Sequence, residues 1–316
     1  MKLVRGLRHF GNAAAAGTAV TIGNFDGVHL GHQALVRRTV ELARALGAAP
    51  VVLSFEPTPR EYFSGERAPG RVINLRTKLQ DLQQLGVDAV VLQRFGREFA
   101  AMEARDFVRQ ALVEQLGARA VVIGDDFRFG ARRAGDLALL REEGARLGFH
   151  AEGLGSVRIG EQRCSSTALR EALARPDLAQ AREMLGHDYR IVGRVRGGLR
   201  LGRRLGMPTA NLPLRRAPAL CLGVYAVDVR IVRDGVLGEP RPAVANLGVR
   251  PTLGLTRCLL EAHLLNAECD LYGEVLDVEF RRFLRPELRF DSVESLAVQM
   301  QADKRDALAF FGLDAA

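Results

Sequence analysis

The sequence predicts an α/β unit with a parallel sheet, followed by a small antiparallel β-barrel that ends in a helix. Up to about residue 186, short apolar runs alternate with amphipathic helical patterns, as strands and crossover helices do in a parallel sheet. Beyond that point the helical patterns give way to period-two runs that Gly and Pro interrupt at intervals of roughly ten residues, as in a barrel. We therefore expect two domains, 1–186 and 187–316, each long enough to bury a core.

The first half alternates strands and helices in order along the chain. Each predicted strand is a short apolar run, and each predicted helix carries apolar residues at helical spacing. The strands are 19–23, 50–55, 87–95 and 118–124, and the helices are 32–47, 75–86, 103–117 and 135–148. Parallel sheets of this kind bind ligands beyond the carboxyl ends of their strands. The loops expected to carry function are 23–31, 55–63 and 124–134.

The second half contains strand patterns and one terminal helix. GVYAVDVRIVRDG alternates with period two and ends in Asp234-Gly235, a pair favoured in two-residue hairpin turns. RCLLEAHLL and LYGEVLDVEFRRFL are further predicted strands. Asp291 or Ser292 is the expected N-cap of the closing helix. Its apolar side comprises residues 293, 296, 300, 307 and 311.

The overall composition is that of a globular protein. Of 316 residues, 47 % are hydrophobic and 26 % are charged. No apolar run approaches the ~18 residues of a membrane span, and the stretch after Arg8 is too short and too rich in Gly and Ala for a signal peptide. The four cysteines form no C-x-x-C pair, which fits a reducing compartment. We expect a cytoplasmic protein with no membrane partner.

The net charge of +8, which comes almost entirely from Arg, has two explanations: a genome rich in Arg, Ala and Gly codons, or an anionic partner, either nucleic acid or a phosphate-bearing ligand. Charge alone does not separate the two, and short basic runs such as GARRAG are more often solvated faces. Aromatic residues make up only 6 % of the chain and none is Trp, so platforms for stacking bases are few. We expect no nucleic acid as a partner, and nucleic-acid binding is kept as the main rival hypothesis.

The stretch GNFDGVHLGH places His29 and His32 three residues apart where a strand gives way to a helix. At this spacing both imidazoles lie on one side of the first helical turn. The free N–H groups of a helix N-terminus bind anions, and Gly23, Gly27 and Gly31 allow close approach of a ligand. A zinc site would need a third ligand, and none is near in sequence. A packing role remains open from these residues alone.

Three motifs resemble the nucleotidylyltransferase superfamily. GNFDGVHLGH is similar to its signature, whose histidines contact ATP phosphates, and GDDFRFG (124–130) and SSTALR (165–170) are similar to two elements of the prokaryotic FMN adenylyltransferases. The resemblance implies a Rossmann-like nucleotidyltransferase domain in which His29, His32 and Arg170 are catalytic. It implies ATP-binding roles for Gly23, Asn24, Phe25, Asp26, Gly31, Ser165, Ser166 and Thr167, and flavin-binding roles for Asp126, Phe127 and Phe129.

One segment departs from that family's pattern. After the second strand the chain has SFEPTPREYF, with Thr58 at a position where the family commonly has His. Pro57 and Pro59 preserve the turn. We therefore assign no catalytic role to Thr58.

A second group of residues begins with the glycine-rich, basic stretch GRVRGGLRLGRRLGMPTANLPL, which lacks the Gly-Lys-Ser/Thr of a P-loop. Thr209 and Asn211 alternate, so both point to one side of an extended segment. Their oxygens are suitable ligands for Mg²⁺ beside phosphate oxygens. A polar turn without function is the alternative for these residues taken alone.

The motifs GVYAV, ANLGVRPT, EAHLL and DLYGEVLDVEF occur in the order found in riboflavin kinases, and so does the terminal FDSVESLAVQMQADK. The resemblance implies that Glu261 is the general base, that Thr209 and Asn211 bind Mg²⁺ and ATP, and that the glycine-rich loop covers the nucleotide. The resemblance also implies that the nucleotide is bound by three glycines, Gly193, Gly198 and Gly206.

Together the motifs resemble the bifunctional prokaryotic riboflavin kinase/FMN adenylyltransferases over nearly the whole chain, roughly residues 15 to 310. The resemblance implies ATP-dependent conversion of riboflavin to FMN and of FMN to FAD, with Mg²⁺ as the cofactor. One rival hypothesis keeps the transferase but makes the barrel a regulatory flavin sensor; the intact Thr209, Asn211 and Glu261 argue against it. The oligomeric state is left open.

Overall fold

A computed structural model of the chain describes residues 1–11, 16–197, 205–252, 255–266 and 270–314. The chain forms two compact units. The first comprises residues 1–69 and 78–165, and the second comprises residues 70–77 together with the chain from 166 onward.

The second unit thus includes a short segment from the first half of the sequence. The hydroxyl of Tyr189 donates to the carbonyl of Val72 at 2.7 Å, and the backbone N–H of Val192 donates to Oγ1 of Thr77 at 3.0 Å. The boundary between the predicted domains 1–186 and 187–316 stays a prediction of how the two activities are divided along the chain.

The sheet of the first unit is parallel throughout, as predicted. Its strands are β1 (Lys2–Arg5), β2 (Thr18–Ile22), β3 (Ala49–Phe55), β4 (Ala89–Gln93), β5 (Ala118–Gly124) and β6 (His150–Leu154), in the order β1-β4-β3-β2-β5-β6. A small hairpin of β7 (Arg158–Ile159) and β8 (Gln162–Arg163) follows. The central strands are buried on both faces, which explains their continuous apolar sequences.

The two edge strands of this sheet, β1 and β6, were not predicted. Residues of β1 are mostly exposed and those of β6 are exposed or half-buried. An edge strand needs no continuous apolar run, so the pattern that identified the central strands is absent from KLVR and HAEGL.

The strand order reverses beside β2. The chain adds β3 on one side of β2 and, after β4, returns to place β5 on the other side. The carboxyl ends of β2 and β5 are therefore neighbours at a topological switch point, where α/β sheets bind ligands. The two loops that meet there carry the GNFDGVHLGH and GDDFRFG motifs.

The four helices predicted in the first half are present, with changes at their ends, as α1 (Leu30–Leu46), α3 (Leu75–Gln84), α5 (Ala104–Asp106), which continues as a π-helix over Phe107–Gln115, and α6 (Leu137–Leu147). Further helices are α2 (Pro59–Ser64), which lies in a segment predicted as a loop, α4 (Arg97–Ala100), α7 (Ser166–Ala174) and α8 (Leu178–Leu185). Gly47 ends α1 in the left-handed conformation with φ 60°, as its position after the apolar pattern predicted.

The second unit contains a nearly closed antiparallel barrel. Its strands are β9 (Arg190–Arg194), β10 (Ala210–Leu214), β11 (Gly223–Arg233), β12 (Val236–Leu237), β13 (Arg241–Thr252), β14 (Leu255–Leu264) and β15 (Val275–Pro286). The order is β10-β14-β13-β11-β15-β9, with β12 beside β11. One backbone bridge, from the N–H of Arg196 to the carbonyl of Asn211 at 2.9 Å, links the two ends of the sheet.

The hairpin of this unit follows the sequence prediction, and so does the start of the terminal helix, but Val293, which was expected on the apolar side of that helix, is 51 % exposed. Asp234 and Gly235 have φ angles of 51° and 81° and join β11 to β12 in a tight turn. Ser292 caps α9 (Val293–Phe311), whose Ala307 and Leu308 are buried beside the barrel core. No helix within the described part of the chain is long and apolar enough to span a membrane.

Candidate functional site

In the first unit, His29 and His32 form a stacked pair at the start of α1. His29 is the N-cap residue, and its Nδ1 accepts a hydrogen bond from the backbone N–H of His32 at 3.4 Å. The two ring centroids are 3.7 Å apart with an interplanar angle of 20°. The helix therefore begins where the spacing predicted, and both imidazoles lie at its positive end.

The loop before this helix has an unusual backbone. Phe25 and Val28 have φ angles of 47° and 40°, in the left-handed region that side chains other than Gly rarely occupy, and Gly27 has a φ of 101°. Such strain is found where a loop must present its groups in a fixed arrangement. The ammonium of Lys78, itself buried, donates to the carbonyl of Asn24 at 2.6 Å and secures the loop.

Gly31 fits this arrangement because it has no side chain. A Cβ at this position would lie 3.2 Å from the ring of His29. Among the other predicted ATP-binding residues, Phe25 and Asp26 are buried, Gly23 is half-buried and Asn24 is exposed.

Burial favours the neutral form of the His32 ring. Burial lowers the pKa of His32 well below 6.5, and the neighbouring His29 and Lys78 lower that pKa further. Nδ1 of His32 is buried and has no hydrogen-bond partner among the described residues. An anionic group arriving here would supply both a partner and a charge that favours the protonated form.

The DFRFG loop, at the end of β5, contributes a carboxylate and two aromatic rings. A carboxylate oxygen of Asp126 accepts from the guanidinium of Arg163 at 2.6 Å. Phe129 is buried against Phe107, and Phe127, half-buried, stacks on Phe129 with centroids 6.3 Å apart. Phe129 thus supports Phe127, whose ring remains partly open to a ligand.

Sequence reasoning missed an aromatic cluster that includes the strongly exposed Phe63. Its ring centroid is 5.1 Å from that of Tyr62 and 5.8 Å from that of Phe95, and the side chain is 71 % exposed. Phe95 in turn contacts Phe99. The signal available in the sequence was the adjacent Tyr62 and Phe63, in a loop already expected to carry function.

Thr58 has a structural role that accounts for its presence. Its Oγ1 accepts from the backbone N–H of Glu61 at 3.3 Å, and the Glu61 carboxylate accepts from the N–H of Thr58 at 2.9 Å. This reciprocal pair is a capping box at the start of α2, with Pro59 at the first helical position.

The SSTALR motif spans the division between the two units. Ser165 ends the first unit, and α7 begins at Ser166 in the second, where Thr167 is exposed. The guanidinium of Arg170 donates to the carbonyl of Gly70 at 3.0 Å and to that of Ser166 at 3.1 Å. These bonds fix the side chain within the second unit.

In the second unit, one face of the barrel and α9 enclose a cavity of about 240 Å³, called here the barrel cavity. Its wall includes Thr209 and Glu261, so the structure brings together two residues that the sequence singled out. Asn211 lies directly opposite Glu261 in the pairing of β10 with β14, and Asn246 lies opposite Glu261 in the pairing of β13 with β14. Polar side chains therefore form a row across three strands.

The remaining predicted residues of this unit lie around the same strands. Asn211 is buried, and its amide donates to the carbonyl of Thr209 at 3.3 Å. Gly193 lies where a Cβ would come within 2.9 Å of Leu212, and Gly206 has a φ of 74°. Gly198 lies outside the described residues.

The barrel cavity also contains charged residues that sequence reasoning did not select. Arg285 makes a two-pronged ion pair with Asp303 of α9, with distances of 2.6 and 2.7 Å, and Asp303 is only 4 % exposed. Desolvation raises the pKa of Glu287, which lies beside Gly248. Asp303 could have been found from the sequence, because an acidic residue there interrupts the apolar side of the terminal helix.

Protein ligands alone do not form a metal centre in the described part of the chain. No group of three or more His, Cys, Asp and Glu side chains there could hold a metal ion. The Thr209 hydroxyl and the Asn211 amide oxygen are of the type that hard cations accept, but such a cation would also need oxygens from a phosphate.

Comparison with known proteins assigns the chain to one family. A family model described as FAD synthetase matches residues 12–168, and one described as riboflavin kinase matches residues 185–311. The Bifunctional riboflavin kinase/FMN adenylyltransferase of Escherichia coli (strain K12) is 45 % identical over 313 residues, covering 99 % of each chain. The chain belongs to the bifunctional riboflavin kinase/FMN adenylyltransferase family.

Other members and a solved structure extend the match. The family member from Haemophilus influenzae is 46 % identical over 311 residues, covering 98 % of this chain and 99 % of its own. A crystal structure described as a macrolide-efflux protein from Streptococcus pneumoniae shares the fold over 97 % of this chain and 99 % of its own, with 27 % identity and a TM-score of 0.76. The efflux in that description refers to the Streptococcus pneumoniae protein and not to this chain. Flavin kinases and adenylyltransferases that use ATP generally need a divalent metal ion.

Proposed function

We propose that the chain makes FAD from riboflavin in two ATP-dependent steps. The second unit phosphorylates riboflavin to FMN. The histidine pair and DFRFG loop of the first unit serve the second step, which joins FMN to the AMP part of another ATP and releases pyrophosphate. The kinase activity is assigned to residues 187–316 and the transferase activity to residues 1–186.

In the transferase step, a phosphate oxygen of FMN attacks the α-phosphorus of ATP, and the bond to pyrophosphate breaks. The negative charge that leaves with pyrophosphate needs hydrogen-bond donors in fixed positions. His29 and His32 supply these donors at the N-terminus of α1, which is itself an anion site. No covalent intermediate with the protein is required, because positioning and charge stabilisation suffice. Arg170 is proposed as a further phosphate ligand on the strength of its motif.

The flavin of the transferase step is proposed to contact the aromatic side chains of the first unit. Phe127 is half-buried on Phe129, and Phe63 exposes most of its ring beside Tyr62. A planar flavin ring gains most from contact with such surfaces, by offset or edge-to-face stacking. The Asp126 carboxylate is proposed to accept a hydrogen bond from a polar group at the edge of the flavin ring.

In the kinase step, the terminal hydroxyl of the ribityl chain attacks the γ-phosphorus of ATP, and ADP leaves. Glu261 takes the proton from that hydroxyl as general base, a role that contributes about 10²–10⁴-fold in comparable sites. Thr209, which lines the same cavity, is proposed to help position the triphosphate against the hydroxyl. Phosphoryl transfer needs little beyond this positioning and charge stabilisation.

Mg²⁺ is the proposed metal of the kinase site. Thr209 and Asn211 would hold it through neutral oxygens, as suits a small hard cation that also binds phosphate. When bound, it would neutralise charge on the transferred phosphoryl group. The protein residues around it position the hydroxyl and remove its proton.

The observation that carries the proposal is the meeting of Thr209 and Glu261 in the barrel cavity of a chain whose first unit places His29 and His32 at a switch point. The test incubates the purified chain with riboflavin, ATP and Mg²⁺ and follows flavins by chromatography. FMN should form first and FAD should follow. Absence of FMN, with FAD formed only from added FMN, would support the rival hypothesis of a flavin-sensing barrel.

A further inference from the structure

His263 lies in the wall of the barrel cavity, and the proposed function gives it no role. It follows Glu261 by two residues on β14, so both side chains project from the same face of the strand. Both line the cavity, and His263 is only 7 % exposed. Because this buried histidine lies close to the proposed general base, its role depends on the hydrogen-bond partner of each ring nitrogen.

The first nitrogen fixes the tautomer. Nδ1 of His263 lies 2.8 Å from the carbonyl oxygen of Pro208. A carbonyl oxygen can only accept, so Nδ1 carries the hydrogen. Burial also lowers the pKa of His263, which favours the neutral ring. The lone pair therefore resides on Nε2.

The second nitrogen has no hydrogen-bond partner among the residues that the structure describes. Nε2 is buried and makes no hydrogen bond to any of the described residues. A buried acceptor without a hydrogen bond costs free energy, and a ligand donor that reaches it recovers the loss. The side chain is thus arranged to accept one hydrogen bond from something that enters the barrel cavity.

We propose that Nε2 of His263 accepts a hydrogen bond from a ribityl hydroxyl of bound riboflavin other than the one that is phosphorylated. This inference rests on the proposed kinase function. The triphosphate of ATP does not fit the role, because its oxygens carry no hydrogen to donate at neutral pH. The ribityl chain places several hydroxyl donors directly beside the one that Glu261 deprotonates.

Two substitutions separate the two ring nitrogens. His263→Asn keeps a donor near the position of Nδ1, for the Pro208 carbonyl, and removes the acceptor. His263→Gln places an amide oxygen near the position of Nε2. We expect the Asn variant to lose about tenfold in kcat/KM for riboflavin, the usual effect of one neutral hydrogen bond, and the Gln variant to stay within about threefold of the original.

His187→Asn is the matched control. Its Nδ1 also bonds a backbone carbonyl, that of Asp188 at 2.8 Å, and the residue lies outside the cavity lining. It should leave riboflavin phosphorylation unchanged. The KM for ATP should also be unchanged in the His263 variants.

Riboflavin analogues identify the bonded group. Analogues lacking the 2′-, 3′- or 4′-hydroxyl are compared in the wild-type protein and the Asn variant. With the wild-type protein, one analogue should have a kcat/KM about tenfold below that of riboflavin. With the Asn variant, that analogue should have the same kcat/KM as riboflavin, because the substitution and the missing hydroxyl remove the same hydrogen bond. Additive losses for every analogue, or coupling to 2′- or 3′-deoxy-ATP instead, would overturn the inference. Wild-type protein inactive on riboflavin would overturn the proposed function itself.

Discussion

The ion pair between Arg285 and Asp303 offers the sharpest test of how α9 is fixed to the barrel cavity. Both carboxylate oxygens of Asp303 accept from the guanidinium, and Gln299 donates to one of them at 3.0 Å. The side chains are 18 % and 6 % exposed, so water competes weakly. Asp303→Ala leaves the Arg285 charge without its partner. Removing one member of a buried ion pair lowers the free energy of unfolding by about 3–5 kcal/mol. Because Arg285 is partly exposed, we expect a loss of about 3 kcal/mol for Asp303→Ala.

Hydrogen exchange of the α9 amides measures that loss locally. About 3 kcal/mol corresponds to a roughly hundredfold larger opening equilibrium for the helix. Asp306→Ala, an exposed position on the same helix, is the control. Because Arg285 lines the cavity with Glu261, riboflavin phosphorylation should fall in the Asp303 variant while FMN-to-FAD conversion persists. Equal exchange in the two variants would refute the argument that this pair secures the helix.

Three further predictions concern the two activities and the effect of pH. Glu261→Ala should abolish FMN formation and leave FMN-to-FAD conversion intact, as read by chromatography; equal loss of both would contradict the division of labour. Replacing His29 and His32 together with Ala should make FMN accumulate from riboflavin, and an unchanged FAD yield would exclude them from the transferase site. Because the folded pKa of His32 lies below 6.5, the unfolded chain binds the proton first, and stability should fall as the pH drops below 6.5. Denaturant titrations should show a weaker fall in His32→Gln, and identical pH profiles would count against burial as the cause.

The central strands and the longer helices of the first unit were predictable because their burial imposes a pattern on the sequence. β2 and β5 are buried along their length, so their apolar runs are continuous. The short edge strands β1 and β6 carry no such constraint. Residues 70–77 were equally hard to assign, because membership of the second unit depends on bonds such as that from Tyr189 to Val72, between residues far apart in the sequence.

The elements that carry the motif residues were predictable for a similar reason. His29 and His32 depend on a helix start that is encoded locally, and Glu261 belongs to a motif in the expected order. The aromatic cluster around Phe63 and the pair of Arg285 with Asp303 depend on distant segments meeting, and local patterns do not record such meetings. The lack of a hydrogen bond from Nε2 of His263 to any described residue is a property of the folded barrel alone.

The seam between β9 and β10 has a consequence for how copies of this chain behave at high concentration. Apart from the single bridge at Asn211, the outer side of β10 is not paired along its length in the described structure, and such an edge can recruit a strand from another molecule. Pro213 lies in this strand, is exposed and has no N–H to offer. Pro213, two positions beyond the proposed metal ligand Asn211, therefore acts against the pairing of this edge with a strand of another molecule.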